Sequence, residues 1–91
     1  MYKIRFTQSY KKNYRAIITQ SLDTTPLNKV VYRLENGIPL ETTGKDHALK
    51  GEFNGLRECH VRSDWLLVYS IQEEYVTLVL IGTGTHSDIF G

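Results

Sequence analysis

Apolar residues recur along the first part of the chain with two different periods, and these periods predict three elements. Residues 2–6 alternate apolar and charged side chains, which is typical of a half-buried strand. A first stretch with helical spacing then carries one apolar stripe, formed by Tyr10, Tyr14, Ile17 and Ile18. A second stretch carries another, formed by Leu27, Val30, Val31 and Leu34. Thr7 or Ser9 can cap the first helix, Pro26 suits the first turn of the second, and Gly37 ends it. The sequence thus predicts a strand followed by a helical hairpin.

The second half of the chain changes to a pattern of short β-prone runs. Residues 38–55 are rich in glycine and polar residues and predict a long loop, with a short strand near Phe53. Three strands are predicted after it, at residues 56–62, 65–71 and 75–81. The polar tail 82–91 ends in Ile89 and Phe90, which we expect to anchor it. This order predicts an α+β fold in a single domain, residues 1–91, with the helical hairpin packed on a mainly antiparallel four-stranded sheet.

Composition narrows the protein class. Lysine and arginine number 11 against 10 aspartate and glutamate, a net charge of +1 that is too small for a general nucleic-acid binder. Cys59 is the only cysteine, so a scaffold held by internal disulfides is excluded. The first residues alternate charged and apolar side chains and do not resemble a signal peptide, and no apolar run is long enough to span a membrane. We therefore expect a cytoplasmic protein that does not bind membranes.

Three histidines and one aspartate are the candidate catalytic groups. His47 lies in the predicted loop, His60 in a strand, Asp64 at the following turn and His86 in the tail. Each histidine alone is best explained as a surface residue bonded to the backbone, but the four together suggest a site. The spacing lacks the close ligand pair of most zinc sites, and Cys59 should face away from His60, so we expect no metal and no cofactor.

A site rich in histidine and lined by basic residues suits metal-free cleavage of RNA. Histidine exchanges a proton near neutral pH, and RNA carries its own nucleophile in the 2′-hydroxyl group. A base must take the hydroxyl proton, an acid must protonate the leaving 5′-oxygen, and cations must stabilise the phosphate. The sequence therefore predicts a ribonuclease.

Four blocks of sequence together resemble the YafQ-like toxins of the RelE/ParE superfamily. They are Lys45–Gly51, Gly55–Val61, Asp64–Tyr69 and Thr83–Phe90. The resemblance implies a RelE-like fold and the toxin of a type II toxin–antitoxin system, an endoribonuclease that cuts messenger RNA held on the ribosome. It also implies a DinJ-like antitoxin that blocks the toxin, in a heterotetramer of two toxins and two antitoxins. Promoter DNA would be bound only through the antitoxin.

The same resemblance implies roles for individual residues. His86 matches the proton donor of the family, and the other catalytic positions match His47, His60 and Asp64, among which the general base stays open. Trp65 and Phe90 match positions that shape the site, although Trp65 at a strand start is also typical of a core residue. The candidate phosphate contacts are the cations Lys50, Arg57 and Arg62.

One position departs from the family pattern. Members often carry arginine just before the Thr-Gly-Thr-His block, and this chain has Gly82 there. The missing guanidinium leaves the phosphate-stabilising cation to be identified. Gly82 favours one alternative, a degenerate homologue that only binds antitoxin. A second alternative also stays open, a non-catalytic ParE-like toxin that binds a protein such as gyrase.

Overall fold

The computed structural model describes all 91 residues and forms an α+β fold, as predicted. Its helices are α1 (Gln8–Thr19), α2 (Thr25–Glu35) and α3 (His86–Phe90). Its strands are β1 (Lys3–Phe6), β2 (His47–Ala48), β3 (Arg57–Arg62), β4 (Trp65–Gln72) and β5 (Thr77–Gly84). No helix is both long and apolar enough to cross a membrane.

The strands form one sheet in the order β1-β5-β4-β3-β2. β1 runs parallel to β5, and every other neighbouring pair is antiparallel. The expected sheet of four strands was wrong by one strand. The fifth is β2, a two-residue strand in the predicted loop that pairs with Arg57 and Glu58 of β3. The short strand expected near Phe53 is a 3₁₀ turn, Gly51–Phe53.

The two long helices begin where the sequence predicts. Thr7 caps α1: its side-chain oxygen accepts a hydrogen bond from the Tyr10 N–H at 3.0 Å, and its hydroxyl donates to the Ile81 carbonyl at 2.7 Å. The second bond ties the start of the helix to the sheet. Before α2, the Asp23 carboxylate accepts from the Thr25 N–H at 3.0 Å, which lowers the pKa of Asp23.

The main core lies between the two long helices and one face of the sheet, which we call the inner face. The helices contribute Tyr10, Leu27 and Leu34, and the strands contribute Cys59, Leu67, Tyr69, Leu78 and Leu80. Ile18 was expected in the apolar stripe of α1, but its side chain is 52% exposed. It lies at the edge of the stripe, beyond the reach of the sheet.

The opposite, outer face of the sheet has its own small apolar cover. The strand register places Leu66 and Val68 on this face, opposite His60 and Glu58 of β3. The 3₁₀ turn and α3 supply the cover, through Phe53, Leu56, Ile89 and Phe90. The expectation that Ile89 and Phe90 anchor the C-terminal residues is confirmed, but the segment is a helix and not an irregular tail.

Candidate functional site

The outer face brings two of the predicted catalytic histidines together. His47 of β2 pairs with Glu58 of β3, and His60 lies two residues further along β3 on the same face. Diagonal neighbours of this kind have Cα atoms about 7–8 Å apart. His60 in turn pairs with Leu66, and Leu66 pairs with Gly84 at the end of β5. The row therefore leads from His60 to the start of α3.

His86 is the first residue of α3, and a capping box fixes the start of this helix. The Thr85 side chain accepts from the Asp88 N–H at 3.2 Å, while the Asp88 carboxylate accepts from the Thr85 N–H at 2.9 Å. The His86 ring lies against Phe90, with ring centroids 5.5 Å apart, and Phe90 lies against Phe53 at 4.8 Å. The predicted site residue Phe90 thus supports the imidazole and joins it to the cover of the outer face.

The hydrogen bond of His60 defines which of its ring nitrogens is available. Its Nδ1 lies 3.2 Å from the Ser63 carbonyl oxygen. A carbonyl oxygen only accepts, so Nδ1 must carry the proton, and Nε2 of a neutral ring is left free to accept one. Asp64 follows Ser63 in the β3–β4 turn and lines a cleft between this turn and α1, together with Trp65 and Thr85. Asp64 therefore lies in the turn at the end of β3 and β4, beside the outer face that carries His47 and His60 and not on it.

Trp65 is held by a specific bond at one edge of the core. Its Nε1–H donates to the Thr83 hydroxyl oxygen at 3.0 Å, and that hydroxyl donates to the Leu66 carbonyl at 2.8 Å. The indole packs against the main core and is partly exposed. This geometry agrees with the core interpretation of Trp65 and leaves an indole edge on the cleft that Asp64 lines.

The three candidate phosphate contacts have different surroundings. Arg57 makes a two-pronged ion pair with Asp46, at 3.3 and 3.2 Å, and the Tyr69 hydroxyl donates to the same carboxylate at 2.5 Å. These bonds raise the pKa of Arg57, and burial raises that of Tyr69. The Arg57 guanidinium therefore binds Asp46 of the same chain, which makes it a weaker candidate for a phosphate contact. Lys50 is exposed before the 3₁₀ turn, and Arg62 is exposed and lines the cleft of Asp64.

Gly82 lies directly beneath α3. A Cβ atom at this position would meet Ile89 Cγ2 at 3.2 Å and Asn13 Oδ1 at 3.2 Å. Asn13 belongs to α1 and also accepts from the Thr83 N–H at 3.2 Å, so it cannot turn away without losing that bond. The glycine is therefore explained by the close approach of α3 to the sheet, and any side chain here competes with Ile89 for space.

Glu58 is a candidate functional residue that sequence reasoning missed. It is only 4% exposed, and its Oε1 lies 3.6 Å from Nε2 of His47. Its other oxygen, Oε2, is buried without any hydrogen-bond partner. The alternation of β3 placed Glu58 on the face of His60, and a carboxylate in the middle of a sheet strand was the signal that could have identified it. No group of three or more histidine, cysteine, aspartate and glutamate side chains is arranged to hold a metal ion.

Comparison with known proteins identifies the family. The model of a family described as the bacterial toxin of a type II toxin–antitoxin system, YafQ, matches residues 2–91. The mRNA interferase toxin YafQ of Escherichia coli K12 is 32% identical over 89 residues, which cover 97% of this chain and 95% of that protein.

Solved structures agree with this match. A metal-bound toxin from Helicobacter pylori superposes with a TM-score of 0.92 at 38% identity, over 99% of this chain and all of that one. The toxin in the E. coli DinJ–YafQ toxin–antitoxin complex gives a TM-score of 0.86 at 32% identity, over 99% and 98% of the two chains. The resemblance noted in the sequence is confirmed, and the chain belongs to the YafQ family of bacterial type II toxin–antitoxin toxins.

Proposed function

We propose that this protein is an endoribonuclease toxin that cleaves messenger RNA and is neutralised by a DinJ-like antitoxin. One observation carries the proposal: His47 and His60 share the outer face of the sheet, and His86 begins the capped helix that packs on that face. Its relative in E. coli is named an mRNA interferase, and a relative is seen in complex with DinJ. A protein that acted only by binding would have no need for this arrangement of proton-exchanging groups.

The hydrogen bonding of His60 favours it as the general base. Its Nε2 is the free nitrogen, because Nδ1 bonds the Ser63 carbonyl. In the proposed reaction, Nε2 takes the proton of a 2′-hydroxyl group while the 2′-oxygen forms a bond to the adjacent phosphorus. Asp64 follows Ser63, whose carbonyl orients the ring, so it lies in the turn next to the proposed base. Of the alternative bases, His47 has its Nε2 facing the Glu58 carboxylate at 3.6 Å, and Asp64 lies in the turn beside the outer face.

His86 is the proposed general acid. It gives its proton to the 5′-oxygen as the bond between that oxygen and phosphorus breaks, which leaves a 2′,3′-cyclic phosphate on one product and a 5′-hydroxyl on the other. Its position is fixed by the capping box of α3 and by the ring of Phe90. A well-placed acid or base supplies about a hundred- to ten-thousandfold in rate. Both proton transfers of the scheme are made by histidine side chains.

The substrate and partners follow from the charge of the chain and its family. A net charge of +1 gives weak affinity for free RNA, so we propose that the ribosome presents the message. Exposed Lys50 and Arg62 supply cations at the site. The antitoxin completes a heterotetramer of two toxins and two antitoxins, and this assembly binds promoter DNA through the antitoxin.

Expression of the toxin with and without its antitoxin tests the proposal. The wild-type chain should arrest growth and produce cleaved messages with 2′,3′-cyclic phosphate ends, in the presence of EDTA when assayed in vitro. His86→Gln should abolish cleavage and still bind antitoxin. A folded His86→Gln variant that stays equally toxic would refute the assignment, and so would cleavage that leaves 3′-hydroxyl ends. Growth arrest without RNA cleavage would favour the ParE-like alternative, and a harmless wild type the degenerate one.

A further inference from the structure

The side chain of Glu58 lacks the partners that a buried carboxylate requires. Its Oε2 makes no hydrogen bond, and its Oε1 has only His47 near it, at 3.6 Å. Burial of a carboxylate oxygen without a hydrogen-bond partner is unfavourable, because the contact with water is lost and nothing replaces it. An apolar side chain would fill the same position on β3 at no such cost, and the group that the carboxylate can act on is its one neighbour.

The neighbour is His47, and the hydrogen bonds around its ring determine where its protons lie. Nδ1 lies 2.7 Å from the Lys45 carbonyl oxygen, which can only accept, so Nδ1 carries a proton. Nε2 then faces the Glu58 carboxylate. If neither Nε2 nor the carboxyl group carried a proton, two lone pairs would face each other. A proton on Nε2 would replace this repulsion with the attraction of an ion pair.

Other charges near His47 do not take over this role. The adjacent Asp46 carboxylate is occupied by Arg57 and by the Tyr69 hydroxyl. The carboxylate opposite the ring is thus that of Glu58, and its burial strengthens the attraction between the two groups. The imidazole side of the pair is about half exposed, with 49% of its side-chain surface accessible. A separation of 3.6 Å is too long for a hydrogen bond, so the Nε2 proton stays available to a second acceptor.

We propose that Glu58 is a positioning residue that holds His47 as an imidazolium cation, and that this cation contacts the scissile phosphate. The inference rests on the proposed ribonuclease function and deepens it by naming the missing cation. His47, Glu58, Val68 and Gly82 occupy one register row across the outer face. An arginine at Gly82, at the β5 end of this row, would compete with Ile89 of α3 for space. The imidazolium of His47, at the β2 end of the row, supplies a positive charge without displacing α3.

Nitrogen-15 NMR of the histidine side chains tests the protonation state without any measurement of cleavage. In the wild-type toxin at neutral pH, both ring nitrogens of His47 should carry protons. In Glu58→Gln, the carboxylate is lost and only Nδ1 should stay protonated. A control variant, Glu52→Gln, makes the same charge change on an exposed residue of the 3₁₀ turn and should leave the His47 signals unchanged. A wild-type His47 with an unprotonated Nε2 would overturn the proposal.

Phosphate binding and cleavage test the second half of the inference. Inorganic phosphate should shift the His47 signals of the wild type and of Glu52→Gln, and shift those of Glu58→Gln much less. Cleavage by Glu58→Gln on translating ribosomes should fall at least about tenfold, since loss of a single stabilising group for a reacting oxyanion costs about a hundred- to a thousandfold. Thermal stability should stay equal or rise, because a buried charge is removed.

The outcomes separate the two proposals. Unchanged phosphate binding or unchanged cleavage in Glu58→Gln, with an altered His47, would refute the role of the imidazolium at the phosphate. A wild type that does not cleave RNA would refute the proposed function. The NMR and phosphate measurements would still test whether Glu58 holds His47 in its protonated form. Partial rescue of phosphate binding by Glu58→Asp, which retains a carboxylate on a shorter chain, would support positioning over a packing effect.

Discussion

Replacement of Gly82 by alanine tests whether α3 and a side chain at this position compete for the same space. The new Cβ atom would lie 3.2 Å from both Ile89 Cγ2 and Asn13 Oδ1, whereas carbon atoms in good contact are about 3.5–4.0 Å apart. β5 is held at this point by the pairing of Gly82 with Val68 of β4 and by the bond from the Thr7 hydroxyl to the Ile81 carbonyl. The helix must move instead, by a few tenths of an ångström.

The expected magnitude follows from two opposing terms. Overpacking of a well-packed site costs about 1–3 kcal/mol. Alanine in place of glycine restricts the unfolded chain and offsets about 0.4–1 kcal/mol of that cost. We therefore expect Gly82→Ala to lower the free energy of unfolding by about 0.5–2 kcal/mol, by the same two terms. At about 4–8 °C per kcal/mol for a domain of this size, the melting temperature should fall by about 2–16 °C.

A double-mutant cycle assigns the effect to Ile89. Ile89→Ala removes the Cγ2 atom that the new Cβ would meet, so the double variant should be more stable than the sum of the single changes predicts, by about 0.5–1.5 kcal/mol. Urea unfolding of the four proteins, with equal m-values, measures this term. A Gly82→Ala variant at least as stable as the wild type, or a coupling energy of zero, would show that α3 does not fill this space. A stable, faster Gly82→Arg variant would refute the same reasoning.

Three further predictions concern the supports of the site. Thr85→Ala removes the cap of α3 and should cost about 1 kcal/mol in unfolding free energy, with slower cleavage because the start of the helix is loosened; unchanged cleavage would contradict the positioning role of the cap. Arg57→Lys breaks the two-pronged bond to Asp46 and should lower the melting temperature. Cleavage should stay within about threefold of wild type, which is less than the tenfold change that corresponds to about 1.4 kcal/mol. A far larger loss of cleavage would indicate that Arg57 contacts the phosphate. Burial raises the pKa of both Tyr10 and Cys59 to about 12, from ordinary values of 10.0 and 9.0. The folded state thus holds protons that the unfolded chain releases, so the unfolding free energy should be intact below about pH 8.5 and fall between about pH 9 and 12, as urea titrations at pH 7.5 and 10.5 would reveal.

The parts of the fold that have their own periodic pattern could be predicted from sequence. Thr7 was one of the two residues named as a possible cap of α1, because a threonine before an apolar stripe can accept a hydrogen bond from the first turn of a helix. The three strands after residue 55 were predicted because each is a short run of β-prone residues. By contrast, β2 consists of His47 and Ala48, whose pairing is set by β3 and leaves no pattern of its own.

The short helix α3 and the buried partner of His47 were missed for different reasons. Thr85 and Asp88 form a capping box, a signal visible in the sequence, but five residues are too few to show a helical period. The burial of Glu58 depends on the cover supplied by the 3₁₀ turn and α3, which come from distant parts of the chain. Sequence alone could therefore name the histidines of the site but not the carboxylate that faces one of them.

The parallel pairing of β1 with β5 has a consequence for a protein made from its N-terminus onward. Residues 3–6 are synthesised well before their partners, residues 77–80. Pairings of such long sequence separation form late, after the loop between them has closed. His86 lies later still. A nascent chain therefore holds neither a finished sheet nor the full set of candidate catalytic groups until residues 77–86 have been made.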